Sequence, residues 1–199
     1  MESHRVQEMM RLMASRIRTI ANSLSDDDVG KFIDELLTAR RIYVMGAGRS
    51  GLVAKAFAMR LMHLGFQAFV VGETITPALN TGDVIVVFSG SGRTKTVADI
   101  AETGKEIGAH ICLITSNADS RIGMIADCTV IIEHQRDDVE DDAAEFEIRQ
   151  MIGDHKSFAP LGTLFETASM IFADATISRL MEITKTDETA LKNRHVNLE

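Results

Sequence analysis

The 199-residue chain has no tryptophan, one tyrosine, two prolines and two cysteines. So few prolines beside 14 glycines, with 45% hydrophobic residues, exclude a disordered or low-complexity chain. Cys112 and Cys128 both lie in apolar, strand-like runs, too few for a disulfide framework, and read as reduced core residues. No apolar run approaches the roughly 20 residues that a membrane helix requires, and the N-terminus has no apolar signal-like stretch. A cytoplasmic protein with no membrane partner is therefore expected. Positive charge is also short: 21 Lys and Arg stand against 29 Asp and Glu, a net charge of −8. Nucleic acid is not an expected partner, because there is no basic excess to neutralise phosphates. A small anion stays open, since it needs only a few oriented donors.

What is present is an alternation of helical and strand-like periods. Val6, Met9, Met10, Met13, Ile17 and Ile20 recur at helical spacing. Ser25 followed by Asp26, Asp27 and Asp28 reads as an N-cap and acidic first turn of a second helix, carrying Val29, Phe32, Ile33, Leu36 and Leu37 inward. Strands are then expected at 41–45, 67–71, 83–88, 110–115 and 128–132. Helices are expected at 50–63, 94–107 and 120–126, with Gly65 as a C′ glycine. Continuous Val and Ile runs separated by helices predict an α/β fold with a doubly wound, five-stranded parallel sheet covered on both faces. The acidic stretch 133–156 breaks the rhythm and is expected to be a solvated loop. A helix over about 161–183 is apolar on most of its circumference and is expected, with the N-terminal helices of 1–38, to pack in an oligomer. Residues 185–199 read as a polar tail, and 1–199 as one domain.

Ligands of open α/β sheets bind beyond the carboxyl ends of the strands, and three loops leave those ends. The first is Gly46-Ala-Gly-Arg-Ser-Gly51, where Gly48 and Ser50 are candidate binding residues. The second, Ser89-Gly-Ser-Gly-Arg-Thr94, offers three hydroxyls and two glycines at a helix start. Backbone N–H groups, the helix dipole and the hydroxyls of Ser89, Ser91 and Thr94 would cradle a phosphate monoester, with Gly90, Gly92 and Arg93 completing the loop. The third, Gly72-Glu-Thr-Ile-Thr-Pro77, is equally a sugar-contacting loop or a structural turn. A nucleotide site is not expected: there is no G-x-x-x-x-G-K-[ST], and the first loop is not taken as G-x-G-x-x-G. No G-x-S-x-G elbow follows a strand. Histidine and cysteine spacings give no metal motif, and His134 and His155 beside the acidic stretch read as part of a solvated charge run.

Gly46-Ala-Gly-Arg-Ser-Gly-Leu-Val-Ala-Lys-Ala-Phe-Ala-Met-Arg-Leu-Met-His-Leu-Gly65 resembles the first strand-loop-helix unit of the sugar isomerase (SIS) domain family. Val71-Gly-Glu-Thr, Gly82-Asp-Val, Ser89-Gly-Ser-Gly, Leu161-Gly-Thr-Leu-Phe-Glu166 and Arg194-His-Val-Asn-Leu-Glu199 follow in order, so the resemblance spans essentially the whole chain. Within the family, the motifs are most similar to those of the ribulose monophosphate pathway isomerases, which serve formaldehyde fixation. Those enzymes interconvert D-arabino-3-hexulose 6-phosphate and D-fructose 6-phosphate through an enediol. Two departures stand out. The acidic stretch around 133–153 is longer than the family's usual link, and Arg93 occupies a position where many relatives carry Glu.

The resemblance implies a flavodoxin-like SIS domain, a homotetramer, a sugar phosphate substrate and functional coupling to 3-hexulose-6-phosphate synthase. It implies no cofactor and no metal. It makes Glu166 the carbon base, able to act as base and then acid. Leu164, Phe165, Ala168 and Met170 give Glu166 apolar neighbours. His63 is the second catalytic candidate. Its helix begins at the phosphate edge, so it lies about 20 Å along at 1.5 Å per residue and could act only across a subunit interface. On the residues alone, His63 reads equally as a helix C-terminal histidine that complements the dipole. Two other readings stay open: another SIS aldose–ketose isomerase, such as arabinose 5-phosphate isomerase, or a non-catalytic sugar-phosphate sensor.

Overall fold

The computed structural model describes residues 3–132, 163–195 and 197. Five strands form one parallel sheet: β1 (Ile42–Gly46), β2 (Ala68–Val70), β3 (Val84–Phe88), β4 (His110–Thr115) and β5 (Cys128–Ile131), in the order β2-β1-β3-β4-β5. Among the described residues, six helices accompany them: α1 (Ser3–Ser23), α2 (Asp26–Thr38), α3 (Gly48–Leu64), α4 (Lys95–Ile107), α5 (Thr163–Thr184) and α6 (Glu188–Arg194). The expected five-stranded, doubly wound parallel sheet is what the chain forms. Among the described residues, no helix is long and apolar enough to cross a membrane.

Alternation along the strands builds two cores. Ile42, Val44, Val84, Val86, Phe88, Cys112, Ile114, Cys128 and Val130 point to one face and meet α2, α3 and α5. Tyr43, Met45, Ile85, Val87, Ile111 and Leu113 point to the other and meet Val97, Ala98 and Ala101 of α4. This is why β3, Val-Ile-Val-Val-Phe, is buried at every position: each face needs its own apolar set. Cys112 and Cys128, paired in register across β4 and β5, are unbridged and buried. Phe32 of α2 stands 6.3 Å from Phe57 of α3 and 5.6 Å from Phe172 of α5, between ring centroids. These rings fix the three helices against one another.

Local signals end the helices as expected. Ser25 Oγ accepts from the Asp28 N–H at 3.2 Å, and Gly65 closes α3 in the left-handed conformation, φ +98°. One expectation is corrected. Residues 120–126 form consecutive turns instead of a helix. Ser120 Oγ accepts from Gly123 N–H, and buried Ile122 donates its N–H to Gly92 O, which ties the segment to the loop after β3. Within the polar tail, Asp187 accepts from Ala190 N–H and starts α6. The expectations for the acidic stretch, His134 and His155 fall at 133–162, outside the described residues.

The order β2-β1-β3-β4-β5 reverses direction at β1, so the chain leaves β1 and β3 toward opposite faces and opens a crevice at their carboxyl ends. Gly46 is paired in register with Phe88 there. A Cβ on Gly46 would lie 2.8 Å from Ser50 C, 2.9 Å from Gly51 N and 2.9 Å from Phe88 O, all backbone atoms. No side-chain rearrangement relieves such a contact. Gly46→Ala is therefore expected to destabilise the chain by about 2–3 kcal/mol. In thermal melts this should appear as a drop of about 5–10 °C; an unchanged melting temperature would contradict the close approach.

Candidate active site

The crevice brings together the loop after β1, the loop after β3 and the first turn of α5. The loop after β3 is pinned through one carbonyl. Gly90 O accepts from Thr115 Oγ1 at 3.1 Å, Ser116 Oγ at 2.8 Å and Ser116 N–H at 3.1 Å. Gly92 bends the loop back with φ +62°, and its N–H reaches Ser89 O at 3.2 Å. The N–H groups of Gly90 and Ser91 find no protein acceptor among the described residues. Ser89 is buried, while Ser91, Arg93 and Thr94 are exposed at the start of α4. Thr94 is the N-cap residue without a side-chain capping bond. Such an arrangement suits a phosphate: oriented donors at a helix N-terminus, with unsatisfied N–H groups and hydroxyls around them.

The loop after β1 faces it. Gly48 takes φ +55°, and Ser50 is buried in the first turn of α3. Gly46, Gly48 and Gly51 do stand at the spacing G-x-G-x-x-G, which corrects the expectation above. The strand order here is the flavodoxin-like one and not the Rossmann order 3-2-1-4-5-6 in which that motif holds a dinucleotide. In the third loop, Glu73 pairs with Lys55 of α3 at 2.6 Å, and Thr76 Oγ1 donates to Val70 O at 2.5 Å within the turn.

Phe165 carries α5 onto the Ser89–Thr94 loop: a Cβ on Gly90 would stand 3.2 Å from its ring. The next residue is Glu166. Its side chain is 14% exposed, and Arg49 Nε donates to its Oε2 at 3.0 Å. Arg49, Leu52, Val53, Glu166, Thr167 and Met170 line an open cleft of about 350 Å³. A carboxylate at the wall of a half-apolar cleft, beside donors for an anion, can move protons on the carbon skeleton of a bound phosphate ester. Arg49, Thr115 and Ser116 were not singled out from the sequence. The signal for Arg49 was available: a cation in a helix first turn that holds no acidic residue.

His63 lies at the other end of α3, about 20 Å from Arg49 at 1.5 Å per residue, so one chain does not bring it to Glu166. It is buried at 3% exposure, its ring 5.0 Å from that of His195, and Arg194 Nη1 donates to its carbonyl at 3.2 Å. Among the described residues, no group of three or more His, Cys, Asp or Glu could hold a metal.

The sequence matches the SIS domain model over residues 35–143. The chain belongs to the SIS domain family. A protein of Aeropyrum pernix that carries no functional name is 46% identical, over 90% of this chain and 87% of its own. A Bacillus subtilis protein named 3-hexulose-6-phosphate isomerase is 37% identical, over 93% of this chain and 94% of its own. Among solved structures, a Methanococcus jannaschii protein superposes with a TM-score of 0.78 at 31% identity, covering 96% of this chain and 99% of its own. Its crystal structure is described as inferring the molecular function of 3-hexulose-6-phosphate isomerase. These comparisons bear out the resemblance seen in the motifs.

Two outcomes follow from this geometry. Ser91→Ala removes an exposed hydroxyl from the cradle and should raise KM for a sugar phosphate with little change in melting temperature. An unchanged KM in both Ser91→Ala and Ser89→Ala would place the phosphate elsewhere. The second concerns pH. Burial, then the positive charges of His195 and Arg60, hold the His63 imidazolium below its ordinary 6.5. As pH falls through 6.5, the unfolded chain takes up a proton that folded His63 refuses, so stability is lost on acidification. Urea unfolding at pH 7.5 and 5.5 should show that loss and a smaller one in His63→Gln. Equal losses would remove His63 as a source.

Proposed function

We propose that this SIS-domain chain is an isomerase that interconverts D-arabino-3-hexulose 6-phosphate and D-fructose 6-phosphate. The coarser reading, a sugar-phosphate isomerase, is supported by the family and by the names of relatives that cover most of the chain. The observation that carries the finer one is Glu166: a largely enclosed carboxylate in the first turns of α5, one residue from the ring that packs on the Ser89–Thr94 loop.

The reaction moves a carbonyl between C3 and C2. Glu166 takes the proton from C2 of the 3-ketose; the C2–H electron pair forms a C2=C3 bond, and the carbonyl π pair moves onto O3. The hydroxyl proton passes from O2 to O3, the C2 carbonyl forms, and Glu166 returns its proton to C3. Atoms and charge balance without an external oxidant or reductant. The phosphate, held at the start of α4, places C2 and C3 over the cleft beside Glu166, converting diffusional encounter into positioning. We further propose a homo-oligomer, the expected tetramer, in which α1 and α5 pack between copies. His63 enters catalysis only if such an interface brings it to another chain's Glu166. Coupling to 3-hexulose-6-phosphate synthase is part of the same proposal.

The test is a coupled assay that offers the purified protein hexulose 6-phosphate and, separately, arabinose 5-phosphate. Conversion of the hexulose phosphate is expected. Preference for the pentose phosphate would overturn the finer reaction, and no turnover of either would favour a sugar-phosphate sensor. Glu166→Gln keeps the shape and removes the basicity, so kcat should fall by about 10²- to 10⁴-fold with binding retained. Near-normal turnover would return Glu166 to a structural role.

A further inference from the structure

Arg49 is the second residue of α3, where a positive charge opposes the positive end of the helix dipole, and no acidic residue in that turn offsets it. A side chain set against its local electrostatics marks a site where something other than helix stability is served. Its hydrogen-bond partner is Glu166, 117 residues away along the chain, with Nε donating to Oε2 at 3.0 Å. The carboxylate side chain is 14% exposed and the guanidinium-bearing one 60%, so the anion is confined while the cation approaches from the solvent side. Both line the cleft that also exposes Leu52 and Met170. Exposed ion pairs contribute little to stability, and this one joins an exposed cation to a residue already held by its helix.

We propose that Arg49 is a positioning residue for proton transfer by Glu166. The inference rests on the reading of Glu166 as the carbon base. Arg49 Nε fixes Oε2, which leaves Oε1 to take the proton. In that step an O–H bond forms at Oε1 and a C–H bond breaks on the substrate. Its electron pair becomes the C=C bond of the enediolate, and the carbonyl π pair ends on oxygen. Negative charge thus leaves the carboxylate and appears on the substrate in the same cleft. The guanidinium keeps its charge throughout and holds Oε2 in one place while Oε1 gains and gives up the proton, so the carboxylate stays aligned with the reacting carbons.

The experiment is a double-mutant cycle on kcat and KM. It is run on whichever of hexulose 6-phosphate or arabinose 5-phosphate the wild type converts, with melting curves for every variant. Arg49→Met should lower kcat by about 100-fold, with KM and melting temperature nearly unchanged, and Arg49→Lys should recover part of the loss. In a Glu166→Gln background, Arg49→Met should cost nothing further, because a residue acting through Glu166 has nothing left to position. Equal losses in both backgrounds would overturn the proposal, as would a rise in KM with kcat unchanged, which is the mark of simple binding. Should Arg49→Met melt early, Arg49→Gln provides the same comparison with a polar side chain. Failure of the isomerase reading shows in the wild type itself; failure of this proposal shows only in the variants.

Discussion

The backbone contact between Gly46 and the end of β3 is the constraint on which the site depends. It lets β1 and β3 run side by side to their last residues, with Gly46 in register with Phe88. The two loops that leave them therefore start from adjacent points and diverge to opposite faces of the sheet. Everything chemical follows from that divergence: one loop opens α3 and brings Arg49, the other opens α4 and brings the serine-glycine cradle. A side chain at position 46 would separate them.

Glu166 reaches the same place by packing and not by chain proximity. Phe32, Phe57 and Phe172 bind α5 to α2 and α3, and Phe165 fits where Gly90 has no side chain. The Gly90 carbonyl is held by Thr115 and Ser116 of the next strand's end. The Ser89–Thr94 loop and Glu166 are thus braced through β4, α5 and the loop after β3 at once. The protein carries a net charge of −8, yet this edge gathers Arg49, Arg93, Lys95 and two helix N-termini. Local orientation of donors, not overall charge, is what the proposed phosphate site relies on.

The strands were legible because continuous Val and Ile runs such as Val84–Phe88 have one physical solution, burial on both faces. Ser25 and Gly65 announced their helix ends by chemistry that acts within a few residues. The segment 120–126 misled because its helical composition is overruled by contacts to the distant loop at Gly92. Ser89, Ser91 and Thr94 stood out as a set since hydroxyls and glycines cluster in one loop, and that loop does lie between β3 and the start of α4. The pairing of Arg49 with Glu166 was not, because hydropathy periods carry no information about partners 117 residues apart. The packing of the buried His63 ring against the tilted ring of His195 was hidden for the same reason.

The central claim is that carbon-bound protons pass through a carboxylate at the crevice by way of an enediol. Its most direct test is isomerisation of hexulose 6-phosphate in D₂O, followed by NMR of the product and of recovered substrate. A carboxylate that exchanges with solvent between abstraction and return predicts deuterium at C3 of the ketose product, and none in the Glu166→Gln protein on the same timescale. Product that keeps only protium at C3 through every turnover would mean that the migrating hydrogen never exchanges with solvent, as in a direct hydride shift, and would contradict proton passage through a carboxylate in an open cleft.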